Sequence, residues 1–499
     1  MKKYYLGLDQ GTTGTTALLF DKKWNQVSKG YCKVVQHYPQ PGWVEHDGLQ
    51  LYDTLLQATD EALRKVGANA SEIICMGIDN QGETVIAWDR LTGKPVYSAI
   101  VWQDRRTAEE VNWLKEKYGT LFLERTGLEL DSYFGATKIK WILEHVEEAQ
   151  QLLKHGNLLV GTLDTWFVWK MTGGRHFATD VVTASRTCLM NLEKLAWDEE
   201  LLGFLGIPRD ILPEIRENAT SFGVTQKEHF LGAEIPITGS IVDQQAALLG
   251  QGCTKKGTIK TTYGTGCFML MNTAEERIQN RTGILSTLGY VHQGKCSYAL
   301  DGGIYISGAA VEWLQNGIKL IGSPKEADEL ALSLKNNGGV YFVPAFSGLA
   351  APYWDSFARG MMIGITGGTT NAHLARATLE ATPYQVKDIL EVLQKETGLA
   401  IASMRVDGGG TNSKFMMQFQ ADLLGIPVEV PVISETTGLG AAYLAALGMG
   451  EMASFEEMEH YWKCQHVYEP QMSVDERETL IAKWHRAVER AKNWEMPSL

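Results

Sequence analysis

The chain has 499 residues, of which 44% are hydrophobic and 21% are charged. Single hydrophobic cores stop growing beyond roughly 250 to 300 residues, so a chain of this length predicts two large domains. The formal net charge of -13 speaks against a nucleic-acid or anionic-membrane surface and favours a small-molecule substrate.

The seven cysteines are scattered and include no C-x-x-C pair. This pattern speaks against a disulfide framework or a cysteine zinc site and favours the cytoplasm. No apolar stretch approaches the ~18 residues that a membrane helix needs, and no apolar signal segment follows the initial MKKYY. We therefore expect neither secretion nor membrane insertion.

The first predicted element is a hairpin, with extended apolar stretches at residues 4–8 and 17–20 on either side of a Gly/Thr turn. A helix is predicted next at 51–67, where apolar residues recur on one face, and a buried strand at 72–80. Strands that alternate with helices indicate an α/β architecture.

A second hairpin with the same pattern is predicted at residues 257–272, which suggests two related halves. The polar turn at 250–257 is the expected boundary and gives domains at 1–250 and 251–499. The last predicted helix starts after a Ser473 cap and packs on the second domain.

Three glycine-containing turns are candidates for binding a nucleotide. The first contains Thr12, Thr13 and Gly14, the second places Thr265 between two glycines, and the third is RVDGGGTNSKF at 405–415. Backbone N–H groups and hydroxyls in such turns bind phosphate oxygens, and glycine lets a base or ribose lie against the backbone. No P-loop or G-x-G-x-x-G fingerprint is present. The set resembles the duplicated actin-type (ribonuclease H-like) ATPase fold, with nucleotide in the cleft between the two domains.

Asp9 ends the first predicted strand, directly before the first of these turns. A carboxylate is a poor phosphate ligand, because like charges repel. Asp9 is therefore predicted to hold Mg²⁺, directly or through water.

Six longer stretches resemble the FGGY family of carbohydrate kinases and, within it, the members that phosphorylate glycerol. The last of the six fits the family's C-terminal signature at each constrained position, and the resemblance covers nearly the whole chain. The stretches are GWVEHD (42–47), IVWQDRRT (100–107), DQQAALLGQ (243–251), TYGTGCFMLMNT (262–273), VPAFSGLAAPYWD (343–355) and GMMIGITGGTTNAHLARATLE (360–380).

The resemblance implies ATP-dependent phosphorylation of a primary hydroxyl on a small polyol, which converts glycerol to glycerol 3-phosphate. It assigns Asp243 as the catalytic base, which also contacts the metal, and this role suits a carboxylate that follows the apolar strand IPITGSIV. The residues implied on the polyol side are Gly82, Glu83, Trp102, Tyr133, Asp243, Gln244 and Phe268. Those implied on the ATP side are Thr12, Thr13, Gly14, Thr265, Gly308, Gly409, Gly410 and Ser413.

Gly82 departs from the pattern, because members that phosphorylate glycerol carry an arginine there that helps to hold the polyol. Its loss removes several donors and leaves space for another side chain, for water, or for a larger substrate such as a four- or five-carbon polyol or ketose. Further departures are Gly135 in place of Ser or Thr, Val242 in place of the glycine before Asp243, and Ala350 in place of Gly.

His229 matches a histidine that some of these kinases present to a phosphocarrier protein of the sugar phosphotransferase system. A solvated loop histidine without that role is the alternative. The resemblance also implies a homodimer or homotetramer. A competing class is an actin-like ATPase without a polyol substrate, which shares the three nucleotide turns but leaves the predicted polyol ligands unexplained.

Overall fold

The computed structural model describes residues 3–278 and 283–495. These residues form two compact units. The first unit contains the described chain up to Thr254 together with Thr287–Tyr298 and Thr436–Tyr461, and the second contains the other described residues.

Strands occur throughout the described chain. They are β1 (Tyr4–Gln10), β2 (Gly14–Phe20), β3 (Gln26–Lys33), β4 (Glu45–His46), β5 (Ile73–Asn80), β6 (Val85–Asp89), β7 (Ala99–Ile100), β8 (Leu158–Thr162), β9 (Ala178–Asp180), β10 (Met190–Asn191), β11 (Ala196–Trp197), β12 (Glu214–Arg216), β13 (Gly223–Val224), β14 (Pro236–Val242), β15 (Ile259–Tyr263), β16 (Cys267–Ala274), β17 (Leu285–His292), β18 (Lys295–Ile304), β19 (Tyr341–Val343), β20 (Met361–Ile363), β21 (Met404–Asp407), β22 (Val428–Pro431) and β23 (Cys464–Tyr468).

The α-helices follow the same order. They are α1 (Gly48–Lys65), α2 (Ala108–Thr126), α3 (Gly135–His145), α4 (Glu147–Lys154), α5 (Leu163–Met171), α6 (Val181–Ser185), α7 (Glu199–Leu205), α8 (Asp243–Gly250), α9 (Gly308–Glu312), α10 (Pro324–Leu332), α11 (Asn371–Thr397), α12 (Lys414–Leu424), α13 (Thr436–Met449), α14 (Phe455–Tyr461) and α15 (Val474–Ala491).

The first unit is built on a six-stranded sheet in the order β13-β14-β5-β1-β2-β3. β1 pairs antiparallel with β2, whereas β1, β5 and β14 run parallel to one another. Every residue of β5 is buried, as expected for a parallel strand that is covered on both faces. The predicted first hairpin and the predicted strand at 72–80 are both confirmed.

Helix α1 begins where the side chain of Asp47 accepts hydrogen bonds from the backbone N–H groups of Leu49 and Gln50. Its apolar face packs on the sheet through Leu51 and Leu55, both of which are fully buried. The predicted helix at 51–67 is thus confirmed, with its start three residues earlier. Capping by Asp47 explains the earlier start, because it satisfies backbone donors of the first turn.

Helix α13 lies against the same sheet, although it comes from the C-terminal part of the chain. A Cβ added to Gly7 would lie 2.0 Å from the carbonyl oxygen of Gly438, and one added to Gly77 would lie 1.9 Å from that of Ala441. The two strands therefore need glycine where the helix backbone approaches them.

The second unit contains most of a seven-stranded sheet in the order β17-β18-β16-β15-β21-β22-β23. β15 pairs antiparallel with β16 and parallel with β21, which repeats the arrangement of β1 with β2 and β5. The predicted second hairpin and the predicted relation between the two halves are confirmed. The final helix α15 starts after Ser473 as predicted, and Trp484 on it stacks on Tyr384 with ring centroids 5.1 Å apart.

Within the described residues, no helix is both long enough and apolar enough to cross a membrane.

Candidate active site

Three neighbouring parallel strands of the first unit lead into aspartates at one edge of the sheet. Asp9 on β1 is paired in register with Asp79 on β5, and Asp243 directly follows β14, the other neighbour of β5. Burial, together with the charges of Asp9 and Asp243, raises the pKa of Asp79 well above its usual value. The structure thus brings the predicted Asp9 and Asp243 together. Asp79 was not predicted from the sequence, although it lies one residue before the end of its strand, as Asp9 does.

Asp243 is the first residue of α8, so it lies inside the helix start rather than before it. Its Oδ1 accepts a hydrogen bond of 2.6 Å from the backbone N–H of Gln244. The positive end of a helix dipole stabilises a carboxylate in the first turn. Asp243 therefore lies where the start of a helix suits a carboxylate.

The acidic strand ends fit a magnesium ion that arrives with a nucleotide. Both carboxylate oxygens of Asp79 are buried and make no hydrogen bond of ordinary geometry in the described chain, so the cluster suits a cation. No group of three or more His, Cys, Asp or Glu side chains among residues 3–278 and 283–495 is arranged to hold a metal alone. Mg²⁺ usually takes one or two carboxylates and completes its coordination with water and phosphate oxygens. Asp9 and Asp243 suit that role.

Glu83 lies just beyond β5 and is paired with an arginine that the sequence analysis did not single out. Arg186 donates from Nε to Glu83 Oε1 at 2.6 Å, and both side chains are about 5% exposed or less. A buried carboxylate needs such a counter-charge. Arg186 directly follows α6, whose first turn is capped by the Asp180 side chain. No spacing motif links positions 83 and 186, so only the fold reveals the pair.

Lys138 is a second basic residue that the sequence analysis missed. It is fully buried on α3, and its ammonium group donates to the backbone carbonyls of Glu83, at 3.1 Å, and Tyr133, at 2.5 Å. Burial lowers the pKa of Lys138 to about 7. Lys138 therefore ties together the backbone of two predicted polyol ligands.

Gly82 is packed against Val242, another of the departures noted in the sequence. A Cβ on Gly82 would lie 2.4 Å from Val242 Cγ2, far closer than two carbons can approach. The sequence left a space beside Gly82 open to another side chain, to water or to a larger substrate. Val242 therefore occupies the base of that space. Gly135 is similarly confined, since its Cβ would lie 3.0 Å from Val85 Cγ1.

Trp102 connects the predicted polyol wall to the predicted phosphate turn. Its indole ring packs edge-on against Tyr133, with centroids 5.6 Å apart. Its indole N–H donates to Thr12 Oγ1 at 2.8 Å.

Thr13 is exposed in the same turn, and a Cβ on Gly14 would lie 2.3 Å from the Tyr31 ring. Packing against Tyr31 therefore accounts for glycine at position 14, and its contact with ATP stays a prediction.

A cavity of about 920 Å³ in the second unit is lined by predicted nucleotide residues, a volume typical of small-molecule sites. Gly308 packs on the turn of the second hairpin, because its N–H donates to the Gly264 carbonyl at 3.0 Å and a Cβ there would lie 2.6 Å from that oxygen. The predicted residues on the cavity wall are Thr265, Gly308, Gly409, Gly410 and Ser413.

Ser413 orders one wall of this cavity. Its hydroxyl donates to Asp328 Oδ1 and accepts a hydrogen bond of 3.0 Å from the Met416 N–H, which caps α12. Asp328 also accepts from the Phe415 N–H at 3.1 Å. The Ser413 hydroxyl thus makes its hydrogen bonds within the protein and helps to shape the cavity wall. Asp328 was not predicted from the sequence.

Phe268 and His229 are the remaining predicted residues. Phe268 belongs to β16 of the second unit, where the Cβ of a substituted Gly303 would lie 3.3 Å from the Phe268 ring. His229 is exposed on the first unit, and its backbone carbonyl accepts a hydrogen bond from the Tyr52 hydroxyl. The predicted roles of Phe268 and His229 stay predictions.

Comparison with known proteins defines the class. The two-domain α/β arrangement is that of actin-like kinases, and it matches a solved structure, Plasmodium falciparum glycerol kinase with ADP, with a TM-score of 0.91, 37% identity and 99% coverage of both chains. Residues 4–250 and 259–449 match the N-terminal and C-terminal domains of the FGGY family of carbohydrate kinases. The chain belongs to this family, so it is a phosphotransferase with an alcohol group as acceptor.

Two curated relatives extend over nearly the full length. Glycerol kinase 2 from Thermotoga maritima is 50% identical over 494 residues, and glycerol kinase from Petrotoga mobilis is 49% identical over 495 residues. Each alignment covers 99% of both chains.

Proposed function

We propose that this kinase transfers the γ-phosphoryl group of ATP to a primary hydroxyl of glycerol and forms glycerol 3-phosphate. The observation that carries the proposal is the packing of Gly82 on Val242. Gly82 directly precedes Glu83, a predicted polyol ligand, and Val242 directly precedes Asp243, the predicted base. Their packing therefore brings the two segments together. The names of the two curated relatives support glycerol as the acceptor.

The acceptor is held by one carboxylate and two aromatic rings. Glu83, kept in place by Arg186, accepts hydrogen bonds from two neighbouring hydroxyls of glycerol. Trp102 and Tyr133 cover the carbon atoms and exclude water, which would otherwise compete for the phosphoryl group. Gln244 and Phe268 are the remaining predicted contacts of the polyol.

Asp243 takes the proton of the reacting hydroxyl as the alcohol oxygen attacks the γ-phosphorus, and the bond from that phosphorus to the bridging oxygen breaks so that ADP leaves. General-base catalysis of this kind contributes about 10²- to 10⁴-fold to the rate. Asp9 and Asp243 would hold Mg²⁺, which would supply positive charge to neutralise the phosphate oxygens. Thr12 and Thr13 supply hydroxyl or backbone donors to the phosphate chain.

The adenosine part of ATP occupies the cavity of the second unit. Gly409 and Gly410 let the nucleotide lie against the backbone, and Thr265 contacts the phosphates. On this proposal residues 1–250 form the polyol and phosphate side, and residues 251–499 form the adenosine side and add Thr265 and Phe268.

The test is the rate of ADP release from Mg-ATP with a panel of acceptors, each at several concentrations. The panel contains glycerol, erythritol, threitol, xylitol, arabitol, ribulose, xylulose and dihydroxyacetone. We expect the highest kcat/KM with glycerol, because Val242 fills the base of the space next to Gly82. A clearly higher kcat/KM for a longer polyol or ketose would show that this compound, and not glycerol, is the substrate. ATP hydrolysis that no acceptor stimulates would favour the actin-like ATPase.

We also propose that His229 accepts a phosphoryl group from a phosphocarrier protein of the sugar phosphotransferase system. Its exposure supports this role, because a phosphocarrier must reach the imidazole. Incubation with phosphorylated phosphocarrier protein should label the chain but not its His229→Ala variant. Equal labelling of the variant would exclude His229 as the phosphoryl acceptor.

The assembly and the compartment complete the proposal. We expect a homodimer or homotetramer, and light scattering behind a sizing column will give its mass. A cytoplasmic location suits the use of ATP and keeps exposed thiols such as Cys464 reduced.

A further inference from the structure

The hydrogen bond between Trp102 and Thr12 joins two groups that the proposed function assigns to different substrates. Trp102 lies on the polyol side, next to Tyr133. Thr12 lies in the turn between β1 and β2, on the phosphate side. The distance of 2.8 Å from the indole Nε1 to Thr12 Oγ1 is that of a well-formed hydrogen bond.

The chemistry of the two groups fixes the direction of this hydrogen bond. An indole N–H can only donate, whereas a hydroxyl has one hydrogen and two acceptor lone pairs. Thr12 must therefore accept from Trp102, which leaves its own hydrogen to be donated elsewhere. In the described part of the chain, the indole is the only side-chain hydrogen-bond partner of Thr12.

The position of Trp102 is itself well determined. Its backbone N–H donates to Thr84 Oγ1 at 3.3 Å, and Thr84 in turn donates to Gln81 Oε1 at 2.9 Å. Gln81 and Thr84 flank Gly82 and Glu83, the predicted polyol residues. The backbone of Trp102 is thus hydrogen-bonded to the segment that contains these predicted polyol residues.

We propose that Trp102 is a positioning residue for phosphoryl transfer, whose indole N–H orients the Thr12 hydroxyl as a hydrogen-bond donor to the phosphate chain of ATP. This inference rests on the proposed function. A polyol packed against the indole ring holds Trp102 in place, and Trp102 holds the Thr12 donor. Occupancy of the acceptor pocket is in this way coupled to alignment of the phosphate.

The test replaces the indole N–H while keeping an aromatic ring. With Mg-ATP and glycerol both saturating, we expect Trp102→Phe to lower kcat about 10-fold, because a misaligned donor stabilises the transition state poorly. We expect KM for glycerol to change less than about 3-fold, because the ring that covers the carbon atoms remains. Trp113→Phe is the matched control, since Trp113 is 51% exposed and should leave both constants unchanged.

A double-mutant cycle separates this coupling from general damage to the fold. Trp102→Phe should lower kcat in the Thr12→Ser variant, which keeps the hydroxyl. It should have no further effect in Thr12→Val, which lacks the hydroxyl, because a residue that acts through another loses its effect when that other is removed. Additive losses in Thr12→Val, or a change confined to KM for glycerol, would overturn the proposal.

Two further measurements keep the test decisive. If Trp102→Phe does not fold, benzothienylalanine at position 102, which has sulfur in place of N–H in a ring of the same shape, carries the same expectation. If the unaltered chain turns over ATP but phosphorylates no glycerol, the proposed function has failed. The double-mutant cycle is then measured with the best acceptor of the panel. Additive losses in Thr12→Val, or a change confined to KM for that acceptor, again overturn the coupling.

Discussion

Val242 occupies the position that the first side-chain carbon of any larger residue at position 82 would need, with only 2.4 Å between a Gly82 Cβ and Val242 Cγ2. The backbone at Gly82 does not have a positive φ, so glycine is required here by packing and not by conformation. Two positions that depart from the family pattern are therefore neighbours in space, and each accommodates the other.

The first prediction concerns this pair. Gly82→Arg alone should lower the stability of the first unit by about 1–3 kcal/mol, because the added carbons overpack a buried site, and it should raise KM for glycerol. Gly82→Arg with Val242→Gly should recover both properties, because it removes the clashing methyl groups and restores donors for the polyol. Urea unfolding and steady-state kinetics of the two variants and of Val242→Gly make the comparison. A stable Gly82→Arg variant with an unchanged KM would contradict it.

The second prediction tests the base. Asp243→Asn should lower kcat by about 10²- to 10⁴-fold, the usual contribution of a positioned base, while the affinity for nucleotide stays nearly the same. Equilibrium binding of ADP and the rate of ADP release measure the two quantities. Asp210→Asn, at an exposed carboxylate, is the control. If Asp243→Asn keeps more than about a tenth of kcat, Asp243 is not the base.

The third prediction uses the buried ammonium of Lys138. Burial lowers its pKa in the folded state to about 7, from 10.5 as the ordinary value. Between these values the unfolded chain holds a proton that the folded chain lacks, so this residue makes the free energy of unfolding rise with pH. The stability of the unaltered chain relative to Lys138→Met should therefore increase from about pH 7 to pH 10 and stay level below pH 6.

Urea midpoints at pH 5.5, 7, 8.5 and 10 give this comparison, because they do not require the whole chain to unfold in one step. Lys154→Met is the control, since Lys154 is exposed near the end of α4, and its difference from the unaltered chain should not follow the same curve. A pH-independent difference for Lys138→Met would show that Lys138 is charged throughout the range.

The fourth prediction separates capping from ligand binding. Ser413→Ala should raise KM for ATP several-fold and leave KM for glycerol unchanged, because it releases both α12 and Asp328 from the cavity wall. Ser473→Ala is the matched control: it removes a cap of the same kind from α15, a change worth about 1 kcal/mol, away from that wall. Equal KM values for ATP in the two variants would show that Ser413 does not contribute to the nucleotide site.

Local patterns were enough to predict the hairpins, helix α1 and the strand that contains Asp79, because each depends on short-range periodicity and turn residues. They were also enough to select Asp9, which follows an apolar stretch, whereas Asp243 was selected through the family resemblance. The fold places both at one edge of the sheet. The partners of Glu83 could not be predicted. Arg186 is about a hundred residues away in sequence, and Lys138 acts through its ammonium on backbone carbonyls, which leave no sequence signal.

The sheet of the first unit is covered by α13, a helix that the ribosome makes only after residue 435. While the intervening chain is being translated, the face of β1 and β5 that carries Gly7 and Gly77 has no helix to cover it. Uncovered apolar surface of this kind makes a nascent chain prone to aggregation. Synthesis of this protein should therefore depend on chaperones that bind the early chain until Thr436–Tyr461 emerges, and a fragment that ends at Thr254 should be insoluble when it is made alone.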